Sequence, residues 1–416
     1  MTGSVRRFTL LGSLYFAQGL PFGFFVQAIP VILRSQGYSL EAIGLTSLLA
    51  APWALKFLWA PIVDRRWWPR IGRRRSWILA MQLAGVVVLT ALAATPAADS
   101  IAALMAAMIV LNLIAATQDI ATDGMAVDIL PPSERGFANG LQVAGYRIGM
   151  IIGGGVLLGL HDHLGNRGTF AVMAGLTVLS SVPVLGVREA APTLSAAVTS
   201  QLPHFLHRPG AWRLVALVFI YKFGEAFASG MLRPFLVDAH LSPAEIGWMV
   251  GTIGSAAGMA GALAGGAAIT RFGRRRTLIA FGLGQVASVA GYAYLALGMP
   301  SKTQLSLGCA FEHFASGTAT AALFTCMMDW SRPETGGTDY TVQASAVVIA
   351  QGIAPAISGF SAETLGYAGH FTLGAALCLA AVAVVVALFP RPASEWNVAS
   401  AHVRTPAPPA PGPATK

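Results

Sequence analysis

The chain has 416 residues, of which 55% are hydrophobic and only 11% charged, with a formal net charge of +9. A soluble domain carries about a quarter charged residues, and here the apolar residues fall in runs of about twenty, long enough to cross roughly 30 Å of hydrocarbon. A water-soluble protein is excluded. So is a nucleic-acid binder, because the basic residues sit in short clusters between apolar runs, as in membrane loops.

Twelve apolar runs are expected, at about 8–33, 41–63, 76–95, 101–127, 137–160, 169–187, 211–237, 245–269, 277–298, 304–329, 340–361 and 369–389. The fold class is an all-α membrane protein, its twelve transmembrane helices forming two parallel six-helix pseudo-repeats. Residues 1–187 form the N-terminal bundle, 188–210 a cytoplasmic connector, 211–390 the C-terminal bundle and 391–416 a disordered Pro/Ala-rich tail. Arg6 and Arg7 resemble the start of a signal peptide. However, the apolar run continues to Leu33 without a small-residue cleavage site, so it reads as a retained first span.

Span one carries Tyr15, Gln18, Phe22 and Phe25 on one helical stripe. Aromatics at this spacing can be packing, or, with Gln18 among them, a cavity face that stacks on rings. The loop after span two holds Arg65, Arg66, Arg70, Arg73, Arg74 and Arg75, and the loop after span eight holds Arg271, Arg274, Arg275 and Arg276. Loops 95–100 and 365–370 have neither Lys nor Arg, which places both termini in the cytoplasm.

Span four holds Asp119 and Asp123 one turn apart, with Asn112 on the same stripe. A carboxylate inside a membrane helix costs roughly 2.5–3.5 kcal/mol on insertion scales, so this helix must face partners or water. At 1.5 Å per residue, Asp119 lies about 12 Å from the cytoplasmic end of its span and Arg147, in span five, about 15 Å. The matching depths predict an Asp119–Arg147 ion pair. It is either a proton-titrating element of the transport path or a static tie between helices. Asp64, Arg65, Arg73, Asp128, Glu134, Arg135, Arg271 and Arg274 sit at the cytoplasmic mouth, as a solvated face or a gate.

In span seven, Lys222 is too deep to reach the interface and Glu225 is within its i+3 reach. The pair neutralises itself, or Lys222 holds a substrate carboxylate. Span ten adds Glu312 and His313, a proton relay or packing residues. Gly145, Gly149 and Gly153, and Gly254 with Gly258, have the spacing of close helix seams. Cys309, Cys326 and Cys378 all lie in apolar runs and read as buried spacers.

The chain also repeats itself. Ser39–Gly44 is echoed by Ser242–Gly247, Gly72–Ser76 by Gly273–Thr277, and Pro132–Gly136 by Pro333–Gly336. Three echoes in one order at a spacing near 200 residues imply duplicated halves. Gly266-Ala-Ala-Ile-Thr-Arg-Phe-Gly-Arg-Arg275 then resembles the loop motif of the major facilitator superfamily, with Thr270 in place of its Asp. The first-half variant has Asp64-Arg65 and Gly72-Arg-Arg-Arg75 with Ala60 in place of the leading Gly, so the latch that the resemblance implies is asymmetric.

Lys56-Phe-Leu-Trp-Ala-Pro-Ile-Val-Asp-Arg65, Gln118-Asp119, Glu134-Arg-Gly136, Gly145-Tyr-Arg-Ile-Gly149 and Tyr221-Lys-Phe-Gly-Glu-Ala-Phe-Ala228 together resemble the AmpG-like muropeptide permeases. The related RhtX/FptX-like siderophore importers are similar in the first span, Tyr15–Phe25 followed by Gln27-Ala-Ile-Pro30. The resemblance implies a secondary transporter of the bacterial inner membrane working by alternating access as a monomer, with or without proton coupling. A siderophore is the first expected cargo, a muropeptide the alternative, and drug export a third reading. No metal-ligand spacing, nucleophile motif or ATP-binding loop is present, so no cofactor, no metal and no enzymatic activity are expected.

Overall fold

The computed structural model describes residues 3–29, 33, 50–95, 100–187, 189, 205–208 and 210–389. The start of span two with the Ser39–Gly44 echo, most of the connector, and the tail expected to be disordered lie outside the described residues.

The described chain is helical. In order it forms α1 (Gly3–Gly23), α2 (Ala51–Leu55), α3 (Ala60–Arg65), α4 (Arg73–Ala94), α5 (Ile101–Ile129), α6 (Pro132–Met150) and α7 (His161–Leu185). After the connector come α8 (Ala211–Ser229), α9 (Leu232–Asp238), α10 (Ser255–Phe272), α11 (Arg274–Leu295), α12 (Lys302–Asp329) and α13 (Gly336–Leu388). Nine of the described helical segments are long and apolar enough to cross a membrane. The longest, Pro333–Leu388, holds the expected spans eleven and twelve, joined at Gly366, whose φ of 66° breaks the helix. Expected span ten, α12, is the right length but is not among the nine; Glu312, His313 and a run of Ser and Thr make it more polar.

Both arginine loops turn on a glycine with positive φ, Gly72 at 119° and Gly273 at 84°, and both next helices start one residue later. Only glycine enters such a backbone without strain. The turns therefore sit at equivalent places in the two halves and bring their arginines to the same end of the molecule.

In the first half, α1 packs on α6 and α7, and α4 on α5 and α7. In the second, α8 packs on α13, and α11 on α12 and α13. The predicted glycine seam of span five lies against α1. A Cβ at Gly149 would sit 2.3 Å from the Phe16 carbonyl oxygen, and one at Gly153 2.0 Å from that of Leu20. The halves meet where α6 and α12 pack together, α6 on α10, and α5, α3 and α2 on α13. Further from the arginine loops, the π-helical turn Ile151–Val156 packs on α1, and Gly247–Gly254 packs on α12, each within its own half.

Candidate functional site

The deepest polar cluster in the first half is built on α5. Lys56, in the 3-10 turn between α2 and α3, is 2% exposed and forms an ion pair with Asp119. Asp123, one turn on, accepts a 2.7 Å hydrogen bond from the Tyr15 hydroxyl on α1. Gln18 donates to Thr122 at 3.2 Å, and the Trp53 indole donates to Asn112 at 3.0 Å. The span-one stripe thus divides by chemistry. Tyr15 and Gln18 serve the acidic turn of α5, while Phe22 packs edge-on against Trp53 at 5.6 Å and Phe25 packs on Phe22.

This arrangement corrects one expectation: Asp119 pairs with Lys56, not with Arg147. Depth along an axis matched the two residues, but rotation about it did not. Successive helical side chains point about 100° apart. Tyr146 faces the first-half aromatics, Phe22 and Trp53, and Arg147 therefore turns to the other half, against Gly258 of α10. Lys56 gave a signal of its own, since a lone lysine within an apolar run needs a partner.

The second half has its own cluster on α8 and α12. Lys222 Nζ lies 2.7 Å from Glu225 Oε2, at an angle outside hydrogen-bond geometry, and donates to Thr320 at 3.1 Å. Ser316 donates to Glu225 at 2.9 Å, and Ser229 to Glu312 at 3.1 Å. His313 Nδ1 lies 2.6 Å from Glu312 and 3.0 Å from the Cys309 carbonyl oxygen. Its imidazole also packs where Gly254 leaves room. Of the two readings of Lys222, the structure displays the self-neutralised pair.

At the arginine-rich end, Asp64 is the centre. It takes both Arg73, at 3.1 Å, and Arg74 from its own half. From the other half it accepts the backbone N–H of Thr338, at 2.7 Å, and the Thr338 hydroxyl, at 2.5 Å, in the first turn of α13. A carboxylate at a helix N-terminus also meets the positive end of the helix dipole. Burial pushes the Asp64 carboxyl up, but Arg74, Arg73 and the Thr338 hydroxyl outweigh it and hold it below its ordinary range. Arg74 is 1% exposed and also binds Asp128 at 2.9 Å. A second junction joins Arg135 of α6 to Asp329 of α12 at 2.8 Å, with Arg274 on the same carboxylate at 2.6 Å. Arg274 also donates to the Pro132 carbonyl oxygen at 2.8 Å.

Four expected gate residues form no ion pair or hydrogen bond with the other half among the described residues, and one of them, Asp128, is held by Arg74 of its own half. Arg65 and Arg271 are exposed. Glu134 ties α6 to α1 within the first half, through Arg7 at 2.6 Å and Ser4 at 2.6 Å. Asp329 and Thr338 were missed as gate residues, whereas Arg74 belongs to the arginine cluster expected at the mouth. Asp329 was legible, for it follows Asp128 at the same offset of 201 that separates Gly72 from Gly273. The junction is asymmetric as well: Thr270, at the position of the motif's Asp, bonds back to Gly266 of its own helix at 3.1 Å. Glycines allow the contact, since a Cβ at Gly136 would lie 2.4 Å from the Gly266 carbonyl oxygen and one at Gly266 2.3 Å from that of Gly136.

Residues 7–170 match the family described as acetyl-coenzyme A transporter 1, and residues 214–412 match the Major Facilitator Superfamily. The anhydromuropeptide permease of Escherichia coli strain K12 is 31% identical over 380 residues, covering 89% of this chain and 77% of that protein. Among solved structures, the human organic anion transporter MFSD10 superposes with a TM-score of 0.70 at 16% identity, over 92% of this chain and 100% of that one. The major facilitator transporter FucP in the outward conformation gives 0.69 at 14% identity, over 92% and 99%. These two structural likenesses bear on the fold alone.

Proposed function

The chain is a multi-pass transporter of the major facilitator superfamily and belongs with its AmpG-like permeases, and on that premise we propose that it carries an anhydro sugar–peptide into the cytoplasm across the bacterial inner membrane. The observation that carries this cargo is the 31% identity, across most of both chains, to a protein described as an anhydromuropeptide permease. It favours the muropeptide alternative over the siderophore that the first span suggested, for which the comparisons offer no support.

The arginine-rich end is the cytoplasmic end in this reading, by the positive-inside pattern, with both termini on that side. The Asp64–Thr338 and Arg135–Asp329 junctions then shut the cytoplasmic mouth, and the form described is closed to the cytoplasm. The bundles 1–187 and 211–390 rock as units about the α6–α10 and α5–α13 seams, with 188–210 connecting them. The Lys56–Asp119–Asp123 and Lys222–Glu225–Glu312–His313 clusters face the solute path from either side, with Tyr15 and Gln18 behind the first. The protein acts as a monomer and performs no bond chemistry.

Uptake decides it. A strain lacking its own muropeptide permease, expressing this chain, is expected to accumulate labelled anhydro-disaccharide–tripeptide and not a labelled ferri-siderophore. The reverse result overturns the assignment.

A further inference from the structure

Cations buried midway along a membrane helix need an anion. Lys56 has Asp119 and Lys222 has Glu225. Arg147, midway along the 28-residue span Pro132–Gly159, has neither a hydrogen bond nor a carboxylate within ion-pair distance among the described residues. Glu312 and Glu225 act on it electrostatically from the other half, but at longer range. Both of those carboxylates already have partners in their own half: Glu312 has Ser229 and His313, and Glu225 has the Lys222 ammonium as counter-ion and the Ser316 hydroxyl as donor. The guanidinium thus sits in an attractive field with its five N–H donors unspent.

Its surroundings are shaped for it. A Cβ at Gly258 would fall 1.9 Å from Arg147 Nη1, so glycine is what lets the side chain lie across the seam. The nitrogens of Arg147 are not among the sealed, unpartnered atoms, as Arg73 Nε and Arg74 Nη2 are. A partly buried guanidinium at the seam between the two halves has the fork geometry to grip a planar anion bidentately.

We propose that Arg147 is the anchor for a carboxylate of the transported solute, engaged from the seam between α6 and α10. The inference rests on the sugar–peptide reading for its ligand, since a peptide stem ends in a carboxylate. Anchoring at the seam ties occupancy to the relative position of the halves. It also separates Arg147 from Lys222, whose charge is matched before any solute arrives.

The test is binding to the purified full-length protein, read by intrinsic tryptophan fluorescence. Two probe pairs are used: an anhydro-disaccharide–tripeptide and its carboxamide, and the free tripeptide acid and its amide. The wild type is expected to prefer each acid by about 10- to 100-fold, the range of a charge-assisted pair. In Arg147→Gln the preference falls to about one while affinity for the amides is kept, and Arg147→Lys restores part of it. Gly258→Ala, which displaces the guanidinium without removing it, is expected to weaken the acids alone.

The absence of any acid-over-amide preference that depends on Arg147 overturns the anchor, including the case in which no acid binds. If the free tripeptide acid shows that dependence while neither sugar–peptide binds, the anchor stands and the sugar–peptide cargo falls. If the sugar–peptide binds equally as acid and amide, the cargo stands and the anchor falls.

Discussion

Asp64 accepts the backbone N–H of Thr338 at 2.7 Å, a hydrogen bond that spans 274 residues and joins the turn after span two to the first turn of span eleven. The carboxylate is also the anion for Arg73 and Arg74, so a single side chain pairs with two arginines of its own loop and caps a helix of the other half. Removing it therefore acts on closure at that end before it acts on anything else.

Asp64→Asn keeps the shape and removes the charge. Arg74 is then left with Asp128 alone, and breaking a buried pair costs about 3–5 kcal/mol. The variant is expected to shift toward the form open at the arginine-rich end. Cysteines placed at both ends report it, with labelling by a membrane-impermeant thiol reagent rising at that end and falling at the other. Unchanged labelling refutes the latch.

The same carboxylate sets a pH dependence. Its proton affinity in the closed form is below the ordinary value, so its contribution is complete above the unfolded carboxylate value, about 3.9, and fades as pH falls through the lower folded value. Spin-label distances across the arginine-rich end are expected to stay constant from neutral pH to about pH 5 and to lengthen only in stronger acid. In Asp64→Asn this acid-dependent component disappears. A transition centred near neutrality would assign the switch to a different group.

Gly136→Val tests steric closure. The nearest obstacle to a new Cβ is a backbone oxygen, that of Gly266, which cannot rotate away. Helices α6 and α10 must separate, and uptake is expected to fall by at least about tenfold while surface expression is retained. Normal uptake would mean that the two helices never approach this closely during transport.

Lys56→Met leaves two acidic groups in the cluster with no ammonium beside them. An uncompensated buried charge costs about 3–5 kcal/mol, so the melting temperature and uptake are both expected to drop. Adding Asp119→Asn to the same chain removes the orphaned charge and is expected to recover most of the thermal stability. Uptake returns only if the pair is a static tie; if it stays lost, the pair has a role in transport. Equal thermal losses in the single and double variants would show that the contact contributes nothing.

The sequence alone determined the membrane class, the succession of spans, the repeated halves and the buried charges, because run length, loop charge and the cost of a carboxylate in hydrocarbon are properties of local segments. Lys222–Glu225 was legible for the same reason: both residues lie on one turn of one helix. Tertiary structure alone decided that Asp119 takes Lys56 and leaves Arg147 facing Gly258, that Glu134 ties α6 to α1, and that Asp64 reaches Thr338. Depth along a helix follows from counting residues. Which neighbour a side chain meets depends on how far the helix is rotated about its own axis, and one residue of rotation, about 100°, is enough to change the partner. That angle is set by the packing of all the helices at once, and no single span contains it.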